Sequence, residues 1–322
     1  MATGTPVSQL RPLAQHVPRP DGDDALVFVT PDREVRVEGD PRLVGEILSR
    51  CDGLRTAEEI AEGFGGGVAD DVLELIETLA QQEVVVDCTQ AYRLFHRHSA
   101  VRSGLFRDIE EADLQALMGE SFEPRGLLER REALQPNAGP LLDLTTRRSS
   151  AWPGERRAIS YPELSTVLTA MYGLGKGERP VPSAGSLYPL AIHIVIRESV
   201  PPLDAGLWWY DPRADALRLL RDAVIELEGL MIPQPTTDPL VAAGMPVLFI
   251  SADLDRAARK YSNRGYRYAL METGAAMQNA YLAAAELDLP VRAVGGFDDD
   301  AAHELLDLPV DVAPLLALLL GA

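Results

Sequence analysis

The chain has 322 residues, 46% hydrophobic and 25% charged, enough to bury a substantial core in two or three domains. Its formal net charge of −19 excludes broad binding to nucleic acid or to an anionic membrane, and no apolar run is long enough to span a bilayer or serve as a secretory signal. Cys51 and Cys88, the two cysteines, lie in no CxxC and no cluster with histidine, which argues against a disulfide framework or a structural zinc and for a cytoplasmic protein.

Residues 1–20 carry prolines and little periodicity and read as a flexible arm. Leu26–Val29 and Val35–Val37 alternate like two strands joined by a turn at Pro31-Asp32. Asp40-Pro41 opens a helix with Leu43, Ile47 and Leu48 on one face, and Thr56-Ala57-Glu58-Glu59 forms a capping box for a second. A third helix carries Val72, Leu75, Ile76 and Leu79 at helical spacing before a strand at Val84–Val86. Strands, three helices and a returning strand describe a small winged-helix-like domain over 21–90. Many such domains bind DNA, but this segment has 5 arginines and 18 acidic residues, 5 − 18 = −13, and would repel a phosphate backbone. The same pattern resembles the PqqD-like peptide-recognition domains. That resemblance implies a leader peptide added as a strand at the sheet edge beside the third helix; a domain that only packs on its neighbour is the alternative.

Residues 91–140 form a helical connector, with signals at 112–118 and 127–133 and a turn-rich linker at 135–140. Beyond it, helices and strands interleave over 141–322. A helix over Tyr161–Tyr172 opens at Ser160, strands fall at 191–196, 206–210 and 217–220, and another strand covers 246–251. A long helical pattern then runs to about Leu287, a short strand covers 292–294, and the apolar run at 315–320 reads as a buried final element.

Five motifs carry chemistry. Arg147-Arg148-Ser149 offers two guanidinium forks and a hydroxyl to a phosphate. Pro182-Ser183-Ala184-Gly185-Ser186-Leu187-Tyr188-Pro189 lets backbone approach a flat ligand. Lys260-Tyr261 keeps one of only two lysines among 30 basic residues and lies within a run of cations, Arg256, Arg259, Lys260, Arg264 and Arg267. In one continuous helix, Lys260, Arg264 and Arg267 would share a face and require an anion or a carboxylate such as Glu272 to answer them. Further on, a slim alanine-rich helix carries Gln278 and Asn279, and Gly295-Gly296 ends the strand before Phe297.

In this order the motifs resemble the nitroreductase-like flavoproteins, and more narrowly the SagB-type azoline dehydrogenases that make thiazoles and oxazoles in peptide natural products. The resemblance implies an α+β fold with a mixed sheet flanked by helices, a homodimer, and FMN at its interface. Arg147, Arg148 and Ser149 would hold the phosphate and ribityl chain or the pyrimidine edge. Pro182, Ser183, Gly185 and Ser186 would border the ring from the partner subunit, while Gly295 and Gly296 would approach flavin N5. Gln278 and Asn279 would support them, and Arg264, Arg267 or Arg292 would complete the phosphate site, because neither a further cation after Arg148 nor a basic C-terminus is present. Lys260 and Tyr261 fall on the family's Lys-Tyr pair. One of them would remove the azoline α-proton while hydride leaves for the flavin; which acts as base stays open. Oxygen would reoxidise the flavin, since no dinucleotide-binding glycine fingerprint is found. The implied partners are an azoline-containing precursor peptide, through its leader, or a carrier-bound intermediate, with a cyclodehydratase alongside. An NAD(P)H-dependent nitro or quinone reductase and a non-catalytic leader-binding scaffold remain open as alternatives. No metal is expected.

Overall fold

The computed structural model describes residues 10–14, 18–22, 24–29, 33–65, 67–99, 112, 115, 138–155, 157–174, 178–227, 229–233, 237–242 and 244–321. They belong to two compact units, Met1–Ser99 with Ala258–Tyr266, and Ala100–Ala257 with Arg267–Ala322. The expected turn at Pro31-Asp32, the helical signal at 127–133 and most of those at 112–118 and 135–140 lie outside the described residues.

In the first unit, β2 (Arg19–Pro20), β3 (Ala25–Val29) and β4 (Glu34–Glu38) form an antiparallel sheet in that order, which leaves β4 at an edge. Val35 and Val37 of β4 point inward between exposed Glu34, Arg36 and Glu38. Helix α1 (Pro41–Arg50) starts where the Asp40 carboxylate accepts from Arg42 N–H with proline in the first turn. Its buried face is Val44, Ile47 and Leu48; Leu43, expected on that face, is exposed, because the core lies one residue further round. The Thr56–Glu59 capping box opens α2 (Ala57–Glu62) as the sequence indicates, and α3 (Ala69–Gln81) buries Val72, Ile76 and Leu79. After α3, β5 (Val85–Asp87) pairs not with the three-stranded sheet but with β1 (Pro12–Ala14). The arm expected over 1–20 is thus drawn into the unit where it is described: backbone bonds from Ala57 N–H to Leu10 O and from Gly53 N–H to Pro12 O fix it, and Leu10 joins the core. Helix α4 (Ala91–Ser99) follows.

The second unit is built on a six-stranded sheet. Its strands are β6 (Leu190–Ile196), β7 (Gly206–Asp211), β8 (Ala216–Arg221), β9 (Val247–Asp253), β10 (Val291–Val294) and β11 (Val312–Leu320), in the order β10-β11-β9-β6-β7-β8. Among the described residues every pairing is antiparallel, so the expected mixed sheet is corrected: β6, β7 and β8 are neighbours in chain order, joined by residues 197–205 and 212–215, and β11 returns between β10 and β9. The apolar closing run is β11, buried in the middle of the sheet. Helices α5 (Pro140–Arg147), α6 (Tyr161–Tyr172), α7 (Asp238–Ala242) and α10 (Asp299–Leu305) belong to this unit. The long helical pattern after β9 is two helices, α8 (Leu254–Tyr261) and α9 (Arg264–Glu286). Ser262 adopts a left-handed backbone (φ 48°) between them, and Asn263 accepts from Tyr92 N–H at 2.9 Å and donates to Cys88 O.

Helix α6 supplies a test of local reading. The Ser160 backbone N–H, then its hydroxyl, then the Arg157 guanidinium hold the Glu163 carboxyl down at about 2. A carboxyl depressed on folding contributes stability that is complete above its ordinary range and is lost as pH falls through its folded value. Glu163→Gln is therefore predicted to cost about 1 kcal/mol at neutral pH. Thermal melts should show a gap from wild type that closes as pH falls toward about 2.

Candidate functional site

Two arginines and a serine gather where α5 ends. Arg147, its last residue, donates to Asp143 at 3.0 Å and lies 3.9 Å from Asp288. Both pairs are exposed, so they hold the guanidinium weakly and a stronger anion can replace them. The Arg148 guanidinium carbon is 5.2 Å from the centroid of the buried Tyr281 ring, and Ser150 Oγ is 3.1 Å from the Tyr281 hydroxyl. That hydroxyl also accepts from Ala293 N–H of β10 at 2.9 Å. Alongside, Ala151 N–H donates to Val291 O and Arg292 donates to Ala151 O, each at 2.8 Å. One phenol on α9 thus ties the Arg-Arg-Ser segment to β10, whose end is Gly295-Gly296. A side chain built at Gly295 would meet no atom within 4 Å, so the backbone there faces open space; Gly296 is buried and its carbonyl accepts from Ile232 N–H at 2.9 Å. A cavity of about 430 Å³ runs along Arg147, Ser149, Tyr281 and Ala285, a size suited to a small ligand, with Glu155 and Asp288 as opposing charges.

The second cluster surrounds the Pro-Ser-Ala-Gly-Ser-Leu-Tyr-Pro segment. Gly185, Ser186 and Tyr188 have φ of 61°, 55° and 48°, and the two non-glycine residues each carry strain of about 1 kcal/mol. Pro182, Gly185 and Ser186 are exposed. Behind them, Glu272 of α9 is 3% exposed and accepts from the Tyr172 hydroxyl at 2.7 Å and from Ser183. Burial raises its pKa above the ordinary carboxylate value, against the bonds from Ser183 and Tyr172 and the Arg179 charge. The Arg179 guanidinium carbon is 4.3 Å and 4.9 Å from the Tyr172 and Tyr188 ring centroids. Asn279 donates to Ala170 O at 3.0 Å and Pro180 O at 3.3 Å. Gln278 is half-buried and lies toward the Tyr281 side. At 3.6 residues per turn, Glu272 and Asn279 share one face of α9, while Tyr281 is about 180° from Glu272. In one protomer the two clusters therefore flank opposite sides of the same helix.

Lys260, Tyr261 and Arg264 fall in the first unit and Arg267 in the second. The Lys260 Nζ lies 5.3 Å from the Tyr261 ring centroid, and Lys260 is exposed. The break at Ser262-Asn263 separates Lys260 from the helix carrying Arg264 and Arg267, so the expected single cationic face does not form. Glu272 does not answer those cations either: its bonds go to Tyr172 and Ser183. The first unit also holds a groove of about 540 Å³ between edge strand β4 and α3, bordered by Glu34, Arg36, Glu38, Asp71, Glu74 and Leu75. A larger cavity of about 560 Å³, lined in part by His193, Trp209 and Leu308, involves none of the expected residues.

Tyr281 and Glu272 were not singled out as site residues from the sequence. A tyrosine or a glutamate within an alanine-rich helix signals burial with a partner, but only the fold names the partner.

The family model described as Nitroreductase family matches residues 145–322. A candidate nitroreductase of Methanocaldococcus jannaschii is 35% identical over 185 residues, covering 56% of this chain and 90% of that protein. The Escherichia coli Microcin B17-processing protein McbC is 31% identical over 153 residues, 46% of this chain and only 55% of that protein. Among solved structures, a chain of the Escherichia coli microcin synthetase McbBCD complex with truncated pro-MccB17 bound shares the fold, with a TM-score of 0.57 and 23% identity over 71% of this chain and 91% of that one.

Removing the phenol that joins the Arg-Arg-Ser segment to β10 leaves Ala293 N–H without its acceptor. Tyr281→Phe is predicted to cost about 1–2 kcal/mol in urea unfolding; an unchanged midpoint would show that Tyr281 does not carry this junction.

Proposed function

Because the chain belongs to the nitroreductase family and is an oxidoreductase, we propose that it uses FMN to oxidise azoline rings to azoles in a precursor peptide. The observation that carries the cofactor assignment is the convergence of Arg147, Arg148 and Ser149 around Tyr281, whose hydroxyl also bonds the strand that leads to the open backbone at Gly295. Their chemistry fits the group: charge-assisted donors suit a phosphate, Ser149 and Arg292 add to them, and uncovered backbone suits a flat ring edge. The opposing Glu155 and Asp288 carboxylates are exposed or paired at the surface and leave the cationic side to dominate at the Arg147–Arg148 end. FMN, when bound, supplies the hydride acceptor.

The exposed outer surface of the 182–186 segment completes a ring site only with a second copy, because its own protomer's Arg-Arg-Ser segment lies across α9. That division supports a homodimer. Gln278, half-buried on the Tyr281 side, and Asn279, which ties α9 to α6 and to Pro180, keep both clusters in register with the helix. Lys260 or Tyr261 takes the proton from the azoline α-carbon as the neighbouring ring carbon gives up hydride; the ring becomes aromatic, so positioning and one proton transfer are what the protein must supply. Arg264 and Arg267, both exposed, attract the anionic part of cofactor or substrate.

The substrate reading draws support from the likeness to the microcin B17-processing protein. It also draws on the first unit, read as a winged-helix-like, PqqD-like peptide-recognition domain. Edge strand β4 offers unpaired backbone to an incoming strand, and the adjacent groove has four carboxylates, Glu34, Glu38, Asp71 and Glu74, against Arg33 and Arg36. A leader segment carrying lysine or arginine suits it, and a cyclodehydratase would supply the azoline. The match to a candidate nitroreductase over nearly its whole length favours a second reading, NAD(P)H-dependent nitro or quinone reduction.

Purified protein is predicted to be yellow, with FMN identified by absorbance and mass spectrometry, and to remove two hydrogens from a thiazoline peptide. Lys260→Ala should keep the flavin and lose that oxidation; retained turnover would remove Lys260 from the chemistry. Rapid bleaching by NAD(P)H without azoline oxidation would instead favour the reductase. Leu75→Asp, in the β4–α3 groove, is expected to weaken precursor binding roughly tenfold with flavin content unchanged. Equal affinity would return the first unit to a packing role.

A further inference from the structure

We propose that Glu272 is the positioning residue of the 183–190 loop: a single buried carboxylate pins both ends of that loop. At the first end, Ser183 donates to Glu272, and Ser183 Oγ in turn accepts from Tyr188 N–H at 2.9 Å. At the second end, the Tyr172 hydroxyl donates to Glu272 at 2.7 Å and accepts from Leu190 N–H at 3.1 Å, the first residue of β6. Burial first, then the Glu272 carboxylate, push the Tyr172 phenol far above its ordinary pKa, so it remains a donor.

Between these anchors lie the three left-handed residues Gly185, Ser186 and Tyr188. A segment with this backbone holds its shape only where its surroundings over-determine it. The Tyr172 and Glu272 anchors are buried, the exposed Arg256 also donates to Leu187 O at 2.6 Å, and Pro182, Gly185 and Ser186 are exposed. Arg179 adds to the arrangement: its guanidinium lies over both Tyr172 and Tyr188 and donates to Tyr172 O at 3.0 Å. A carboxylate suits the central position because it accepts two hydroxyl donors at once and balances the Arg179 charge. An amide of the same shape keeps one acceptor oxygen and replaces the other with a donor, which faces a hydroxyl whose proton is already directed at it.

The functional consequence rests on the reading that this outward surface borders the flavin of a second copy. Under it, Glu272 shapes cofactor binding without touching the cofactor.

The test measures FMN affinity by flavin fluorescence on deflavinated full-length protein, for wild type, Glu272→Gln, Ser183→Ala and the double variant, with circular dichroism as a check on folding. Hydrogen exchange of the 183–190 amides is measured on the same flavin-free samples. Each single substitution is expected to weaken FMN binding roughly tenfold, and the double substitution to weaken it no further, because both break one linkage. The 183–190 amides should exchange faster in Glu272→Gln while those of β9 do not. A general structural role would instead give multiplying losses in the double variant, or faster exchange throughout, and either overturns the proposal, as does unchanged affinity. If Glu272→Gln does not fold, Tyr172→Phe, which frees the Leu190 end alone, replaces it; weaker FMN binding in each single variant and faster exchange confined to the 183–190 amides are then expected, and the absence of either overturns the proposal. Should wild type bind no FMN, the cofactor reading fails by itself, and the exchange of the loop amides still decides the role of Glu272.

Discussion

The second unit depends on how one helix divides its contacts. Helix α9 presents Tyr281 to the Arg-Arg-Ser segment and β10, and presents Glu272 and Asn279 to α6 and the 180–190 loop. It can serve both sides because it is slim: Ala276, Ala280, Ala283 and Ala284 are buried without filling the space that neighbouring backbones need. Its buried polar side chains Glu272, Thr273 and Tyr281 all have partners, since a buried hydroxyl or carboxylate without one would be costly. Under the proposed function, two clusters on opposite sides of α9 call for a site completed by a second copy.

The division into units adds a constraint on function. Residues 258–266, the end of α8 and the start of α9, belong with the N-terminal unit, where Asn263 is bonded to Cys88 and Tyr92. The Lys260-Tyr261 pair and the β4–α3 groove are therefore parts of one unit, while Arg147, Arg148 and Ser149, proposed to hold the phosphate, are parts of the other. Under the proposed chemistry, peptide capture and proton removal belong to one unit and the cofactor's phosphate to the other.

Much of the local structure was legible in the sequence because its signals are local. Asp40-Pro41, Thr56–Glu59 and Ser160–Glu163 start helices where the residues say they should, and alternating or continuous apolar runs mark β3, β4, β6, β9 and β11. What stayed hidden depends on distant partners. The break at Ser262-Asn263 looks helical in the sequence and is set by bonds to residues 88 and 92. Strand β1 lies in a stretch with no alternation and exists because β5 pairs with it. The family motifs located the Arg-Arg-Ser, Pro-Ser-Ala-Gly-Ser and Gly-Gly segments. Tyr281 and Glu272, which hold those segments in place, have no short motif and are recognised only by what they bond.

Complementation between two inactive variants tests the shared cofactor site most directly. One variant carries Arg147→Ala with Arg148→Ala, the other Gly185→Val, which burdens the outward surface of the 182–186 segment. Each alone should fail to retain FMN. Dissociating and reassociating an equal mixture should restore flavin binding, because a mixed dimer contains one site with both halves intact. No recovery in mixed dimers that demonstrably form, or full binding by either variant alone, would contradict a flavin held between two copies of the chain.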